Sequence, residues 1–384
     1  MEKVAFDNPL RQQCLSLTDL CADQIAGVRK GLEGALTKEE LKQIRRVIIT
    51  GCGDSYVAAL AAIPAFKKFA GKFGSNFSYA RAIDVTRYMK FDPRQSAATL
   101  VVGVSCSGGP ARVQEALRRA NHYGCMTLAV TNNPQSPAGQ EAKRSLIVNT
   151  PAFPNASPGL RNYYASLTGL YMLAAALGEA TGCSKPGTVD GMANAIAQYT
   201  AAWEGKLEAI DDQMFEIARK WKDHRAYDFI GDDIQYATAF FCAAKIVETC
   251  GKLTNTDDSE DWCHVGTFQK EPEKVGTMVV ADKYANNRSR IGETVSQAAG
   301  LNRPVLLVAN GTKEDFGITA DIDVCTVPEA PEGYSFLLPL MNYVPGAILA
   351  GYISKLTEEP FFRGGGIWSV PGNNTIRSSK IEVV

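Results

Sequence analysis

A short β-branched run, Val47-Ile48-Ile49-Thr50, breaks into Gly51-Cys52-Gly53-Asp54-Ser55 and then into an Ala-rich helical stretch from Val57 to Phe69. The same order returns with Thr99 to Val104, the turn Ser105-Cys106-Ser107-Gly108-Gly109-Pro110, and a helix from Ala111 to about His122. Met126 to Val130 reads as a further strand, followed by Thr131-Asn132-Asn133-Pro134. Strands alternating with helices across short connections predict a parallel sheet covered on both faces. A second alternation begins near Tyr227. It has strands at Tyr227 to Ile230, Thr277 to Ala281, Pro304 to Val308 and Asp323 to Val327, and helices at Tyr236 to Cys250 and Arg288 to Ala299. The expected fold class is therefore α/β, with two doubly wound parallel-sheet domains flanked by helices. The first 45 residues read as helices, capped at Asp7-Asn8 ahead of Pro9. Between the halves runs a helical region, Leu160 to Trp221, with polar breaks near Ser184 to Gly187 and at Gly205. The expected division is 1–45 as N-terminal helices, 46–205 as a first domain and 206–384 as a second. The halves share a pattern of elements and little sequence, so the duplication rests on that pattern.

Charge and cysteine usage exclude several classes. Lys+Arg number 40 against 41 Asp+Glu, for a net charge of −1, so the basic excess of a nucleic-acid binder is missing. The most apolar long stretch, Phe336 to Tyr352, is interrupted by Pro339, Asn342 and Pro345, which argues against a membrane span. The N-terminus lacks the basic-then-apolar order of a signal peptide. Ten cysteines without a CxxC suit reduced thiols, and the expected localisation is cytoplasmic. Three histidines, His122, His224 and His264, are too few for a multi-histidine centre, and neither a metal nor an organic cofactor is expected.

In doubly wound sheets ligands collect outside the carboxyl ends of the strands, where both Ser/Gly turns fall. A helix starting there points unpaired N–H groups outward and favours an anion. Glycines allow close backbone approach. Ser55, Ser105 and Ser107 add hydroxyls, and neither turn contains Lys or Arg. A small phosphate monoester fits this better than a triphosphate, and GxxxxGK[ST] is missing. One such turn would be an ordinary helix cap. Two on adjacent strand ends favour an anion site.

These segments, together with Thr131-Asn132-Asn133-Pro134-Gln135-Ser136, resemble the three signature segments of the sugar isomerase (SIS) domain. Their layout is similar to the isomerase half of glutamine–fructose-6-phosphate amidotransferase and its stand-alone relatives. The resemblance implies two SIS-type, flavodoxin-like domains from about residue 10 to 384. It also implies a sugar 6-phosphate held by Gly53, Asp54, Ser55, Ser105, Cys106 and Ser107. Asp54 and Cys106 stand where the amidotransferase has Thr and Gln, and Pro110 replaces a phosphate-contacting Thr. Arg161 falls near a Lys of the family, where it could meet the substrate's leaving group or cap the long helix.

Lys245 and Glu248 are three residues apart on one predicted helix, so they share a face. Taken alone, they read as a solvated helical pair. His264 follows Glu248 by sixteen residues, in Asp261-Trp262-Cys263-His264-Val265-Gly266. The amidotransferase isomerase half carries Lys, Glu and His at these spacings. The tail Arg377 to Val384 resembles the family's closing segment, whose Lys, here Lys380, can form a Schiff base with an open-chain ketose. The resemblance therefore implies Glu248 as the C1/C2 proton shuttle, His264 as the ring-opening group and Lys245 as its orienting neighbour. Lys380 would activate the carbonyl. Family members share His264's role across subunits, which implies a homodimer with shared active sites. No catalytic Cys stands at position 2, so glutamine-dependent amination is not expected. The expected function is a deglycase or deaminase-isomerase acting on a ketosamine or amino-sugar 6-phosphate. A simple aldose–ketose isomerase and a non-catalytic phosphosugar sensor are the alternatives. Gly364-Gly365-Gly366 reads as a hinge for the tail.

Overall fold

The computed structural model describes residues 2–72, 74–155, 157–359 and 380–383. The expected Gly364–Gly366 hinge lies outside them. In chain order the regular elements begin with α1 (Pro9–Leu15), α2 (Leu17–Ala35), α3 (Lys38–Gln43), β1 (Arg46–Gly51), α4 (Asp54–Ala70) and β2 (Asn76–Arg81). A π turn at Asp84–Tyr88 leads to α5 (Pro93–Ser96), β3 (Thr99–Val104), α6 (Ala111–His122), β4 (Met126–Thr131), α7 (Pro137–Glu141) and β5 (Arg144–Ile147). Three helices follow, α8 (Leu160–Thr181), α9 (Thr188–Ala201) and α10 (Leu207–Trp221), separated where the sequence carries its polar breaks. The second alternation is β6 (Ala226–Gly231), α11 (Ile234–Cys250), β7 (Leu253–Asp257), α12 (Ser259–Val265), β8 (Val275–Ala281), α13 (Arg288–Gly300), β9 (Val305–Ala309), β10 (Asp323–Thr326) and α14 (Val344–Leu356).

Two compact units result. One holds residues 19–152 and 161–198 with the C-terminal residues 380–383, and the other holds 2–18, 153–160 and 199–359. Each contains a five-stranded, all-parallel sheet, ordered β2-β1-β3-β4-β5 in the first and β7-β6-β8-β9-β10 in the second. Counted within each half, that is the same 2-1-3-4-5 order, the flavodoxin-like doubly wound arrangement. The centre strands are buried from end to end, as in β3 and β8, because helices cover both faces. The edge strands β2, β5 and β7 were not legible in the sequence. NFSYAR, RSLI and LTNTD are short, half-polar and largely accessible, so they carry no apolar run.

The duplication is closest around the first strand of each sheet. β1 and β6 are both six residues long and end in Gly51 and Gly231, and each is followed by a 17-residue helix. A Cβ on either glycine would collide with the helix that follows, 2.6 Å from Ser55 Cβ in one case and 2.3 Å from Gln235 O in the other. The residues before the helices share an unusual backbone, Gly53 at φ 53° ψ −127° and Asp233 at φ 49° ψ −118°. Glycine adopts this without penalty, whereas aspartate is strained there.

Ser335–Leu356 is apolar and long enough to cross a membrane, with mean hydropathy 1.5, yet its apolar window is wholly buried in its own unit. There α14 packs on α1, α10 and α11. A buried ionic knot ties three of these helices. Asp211 of α10, 1% exposed, accepts from Arg11 Nε of α1 at 2.9 Å, from Tyr352 Oη of α14 at 2.7 Å, and pairs with Lys3 at 2.7 Å. Burial alone would push the Asp211 carboxyl up, but the hydrogen bonds from Arg11, Lys3 and Tyr352 outweigh it and hold the group below its usual range. Asp211→Asn is expected to lower the stability of this unit by about 3 kcal/mol, because it strands buried partners. The stabilisation is complete above the unfolded carboxyl pKa of ~3.9 and is lost as pH falls through the lower folded value. Urea unfolding curves of variant and parent should therefore differ at pH 7 and converge in acid.

Candidate active site

Within the first unit the two Ser/Gly turns sit at the carboxyl ends of adjacent strands, β1 and β3. Gly53 precedes α4, and Ser55 lies in that helix's first turn, half-buried with Asp54. In the second turn the chain folds back on its own serines. Ser105, 4% exposed, accepts the Gly108 N–H on its Oγ at 3.1 Å, and the exposed Ser107 accepts that of Gly109 at 3.3 Å. Both hydroxyls keep their O–H available to donate. The turn closes because Gly108 stands at φ 63°, where a Cβ would lie 1.8 Å from Ser136 Oγ. The third motif segment buttresses it: Thr131 Oγ1 donates to Cys106 O at 3.0 Å, Asn132 N to the same oxygen at 3.0 Å, and Ala138 N to Gly108 O at 3.0 Å. Hydroxyls and helix N-termini here converge without a carboxylate inside the second turn, which suits a phosphate.

Arg161 opens α8 in the same unit. Its neighbour Asn162 accepts from Asn132 Nδ2 at 3.3 Å and Thr150 Oγ1 at 3.1 Å, which brings the start of α8 against the third segment. A cation in a helix's first turn opposes the dipole, so helix capping does not account for Arg161. Sequence reasoning missed Arg112, two residues past the second turn. Desolvation lifts the Cys52 thiol above its ordinary value, and the Arg112 guanidinium pulls it partly back, so a positive charge does stand beside the first turn. Burial likewise raises the Cys106 thiol. Neither cysteine is an activated nucleophile.

The second unit carries Lys245, Glu248 and His264. Lys245 and Glu248 are not the solvated pair that spacing alone allows. Lys245 is 0% exposed, its Nζ is 4.4 Å from the centre of the Phe241 ring and it donates to Glu248 Oε2 at 2.7 Å, while Glu248 is 34% exposed. A buried ammonium thus fixes a carboxylate that is itself a third exposed. His264 is not in that pair. It lies in the last turn of α12, 68% exposed, with Nε2 2.9 Å from Glu260 Oε1. The helix under it is capped and anchored to the interior. Asp258 caps α12 through the N–H groups of Glu260 and Asp261, and the buried Trp262 donates to Asp228 at 2.8 Å. Arg303 in turn pairs with Asp228 at 2.7 Å, in the interior. Next to His264, Val265 is 68% and Phe268 82% exposed. Asp257, Asp258 and Asp261 bring carboxylate oxygens within 4.8 Å of one another beside α12, a grouping that a search for histidine-rich sets overlooks. Lys380 is described in the first unit and is exposed.

The SIS domain family model matches residues 40–176. Over 346 residues the chain is 25% identical to glutamine–fructose-6-phosphate aminotransferase (isomerizing) from Gloeobacter violaceus, covering 88% of this chain and 53% of that protein. The chain thus spans about half the length of the curated relatives it matches. Among solved structures, the C-terminal domain of glucosamine-fructose-6-phosphate aminotransferase from Francisella tularensis superposes with a TM-score of 0.80 at 15% identity, over 94% of this chain and 99% of that one. Tagatose-6-phosphate ketose/aldose isomerase from Escherichia coli gives 0.64 at 15% identity, over 92% and 93%. At these identities the structural matches establish the shared fold.

Gly108→Ala is expected to weaken binding of inorganic phosphate at least tenfold by calorimetry, if these turns hold an anion. It combines a positive-φ penalty with a clash against Ser136, together costing about 2–3 kcal/mol. Gly53→Ala, where nothing lies within 4 Å of the added Cβ, carries the backbone penalty alone and should do less.

Proposed function

We propose that the chain is an enzyme acting at C1–C2 of a ketosamine or amino-sugar 6-phosphate, a reading supported by the match of residues 40–176 to the SIS domain family model and by the fold shared with the aminotransferase C-terminal domain. The observation that carries the reading is the buried Lys245 holding a partly accessible Glu248 at 2.7 Å. A regulator that merely holds its ligand has no use for an ammonium taken fully out of water, a costly arrangement that concentrates at reactive sites.

The Ser55, Ser105 and Ser107 turns bind the phosphate. Glu248 takes the proton from C1 of a ketosamine, the pair of electrons passes into C1=C2, and the same carboxyl returns the proton to C2. An imine is left at C1, and water then adds to it and releases the amine. For a 2-amino aldose the proton runs from C2 to C1, and hydrolysis of the C2 imine releases ammonia. Lys245 fixes the Glu248 carboxylate throughout. His264 serves the ring oxygen in opening a cyclic substrate, a task for an accessible imidazole that can both take and give a proton. Its exposure beside Val265 and Phe268 supports a homodimer in which this face meets a second copy, with His264 supplied across the interface. Lys380 activates the open-chain carbonyl. Arg161 meets the leaving group.

The test is incubation with fructoselysine-, glucoselysine-, glucosamine- and fructose 6-phosphates while amine, ammonia and hexose phosphate are measured. At least one amine-bearing substrate should release its amine. Glu248→Gln should lower kcat by at least ~10²-fold while sugar-phosphate affinity stays within a few-fold, the retained binding showing that the variant is folded. Full turnover by Glu248→Gln overturns the mechanism, and binding without any product favours a sensor.

A further inference from the structure

Glu115, on α6 of the first unit, is 0% exposed. A carboxylate wholly removed from water needs cations and N–H donors around it. The fold supplies two arginines. Arg87 of the π turn Asp84–Tyr88 reaches Oε1 at 2.7 Å, and Arg112, three residues earlier on α6, pairs with Oε2. The π turn is itself fastened to α6, since Arg119 Nη1 donates to Val85 O and Met89 O at 2.7 Å each.

The remaining partner comes from the end of the chain. The Glu382 N–H donates to Glu115 Oε1 at 2.8 Å. The same arginines hold the residues around it: Arg112 Nη2 donates to Lys380 O, and Arg87 Nη1 donates to Glu382 O at 3.4 Å and to Glu382 Oε2 at 3.3 Å. Residues 380 and 382 are thus gripped on one side, the alternation of an extended segment. A slip of one residue would put Ile381 or Val383 opposite Arg87, and neither offers it a carboxylate. Arg112 follows the Ser105–Pro110 turn by two residues, and its charge acts on Cys52 of the other turn, so the grip stands beside the serine turns.

We propose that Arg87, Glu115 and Arg112 form a register clamp for the C-terminal residues, a set of positioning residues that presents Lys380 at the edge of the phosphate-binding turns. The proposal rests on the reading that those turns hold the sugar phosphate and that Lys380 acts on the sugar. Arg112 gives the clamp its place and Glu115 its register.

The test uses the full chain. Hydrogen exchange of a C-terminal peptide covering 380–384 should show the Glu382 amide slowed at least tenfold relative to the free peptide. Glu115→Gln and Arg87→Met should abolish that slowing while β3 and β4 peptides keep theirs. Both variants should lower kcat by roughly 10²-fold with KM nearly unchanged, as expected when a reacting group is misplaced. Glu382→Pro removes the tail's N–H without touching the interior, so it serves as the control should a clamp variant fail to fold. It should reproduce the kcat loss. In a Lys380→Ala background, Glu115→Gln should cause no further loss. An unprotected Glu382 amide in the parent chain, or full kcat in Glu382→Pro, overturns the clamp. A protected amide released by the clamp variants, with full turnover by Lys380→Ala, instead overturns the catalytic reading of Lys380 and leaves the tail's docking standing.

Discussion

An ammonium group with no exposure to water has to be answered by negative charge, and on α11 the answer to Lys245 is Glu248, 2.7 Å away. The rest of that unit follows from holding this pair. α11 lies on the second sheet and against α14, the last part of Ser335–Leu356, a stretch apolar and long enough to span a membrane but spent here on filling the interior. The Asp211 knot ties α14 to α1 and α10. A carboxylate held by a dry cation is confined to far fewer geometries than one in water. A flexible surface pair of the same sequence spacing would lack that constraint.

The first unit solves a different problem with backbone rather than charge. Gly51 and Gly108 let the chain pass so close to its own helix and to Ser136 that a methyl group at either would collide. That closeness turns Ser105 and Ser107 onto their own turn amides and fixes where their hydroxyls stand. Arg112, just past the second turn, bears on Cys52 of the first while its guanidinium pairs with Glu115.

Much of this is legible in the amino-acid sequence. Centre strands announce themselves because burial on both faces demands unbroken apolar runs, and the Ser/Gly turns announce themselves because few other residues tolerate the backbone. Three of the four edge strands did not, β10 being the exception. β2, β5 and β7 are recruited by hydrogen bonding to a neighbour rather than by their own side chains. Spacing placed Lys245 and Glu248 on one helical face but could not say that one is buried and the other accessible, since that depends on what packs beside Phe241. The Arg87–Glu115–Arg112 set was illegible for the same reason: its members come from a π turn and a helix, and its guest from nearly 270 residues further along the chain.

The paired turn residues Gly53 and Asp233 show what became of the repeated architecture. Both halves bend their chain through the same backbone corner, but one half leaves it bare and the other fills it with a carboxylate beside Asp232 and Asp282. An anion approaching the second crevice would meet like charge where the first offers hydroxyls. Repetition of the scaffold has therefore not repeated its chemistry: the same corner is lined by hydroxyls in one copy and by carboxylates in its twin.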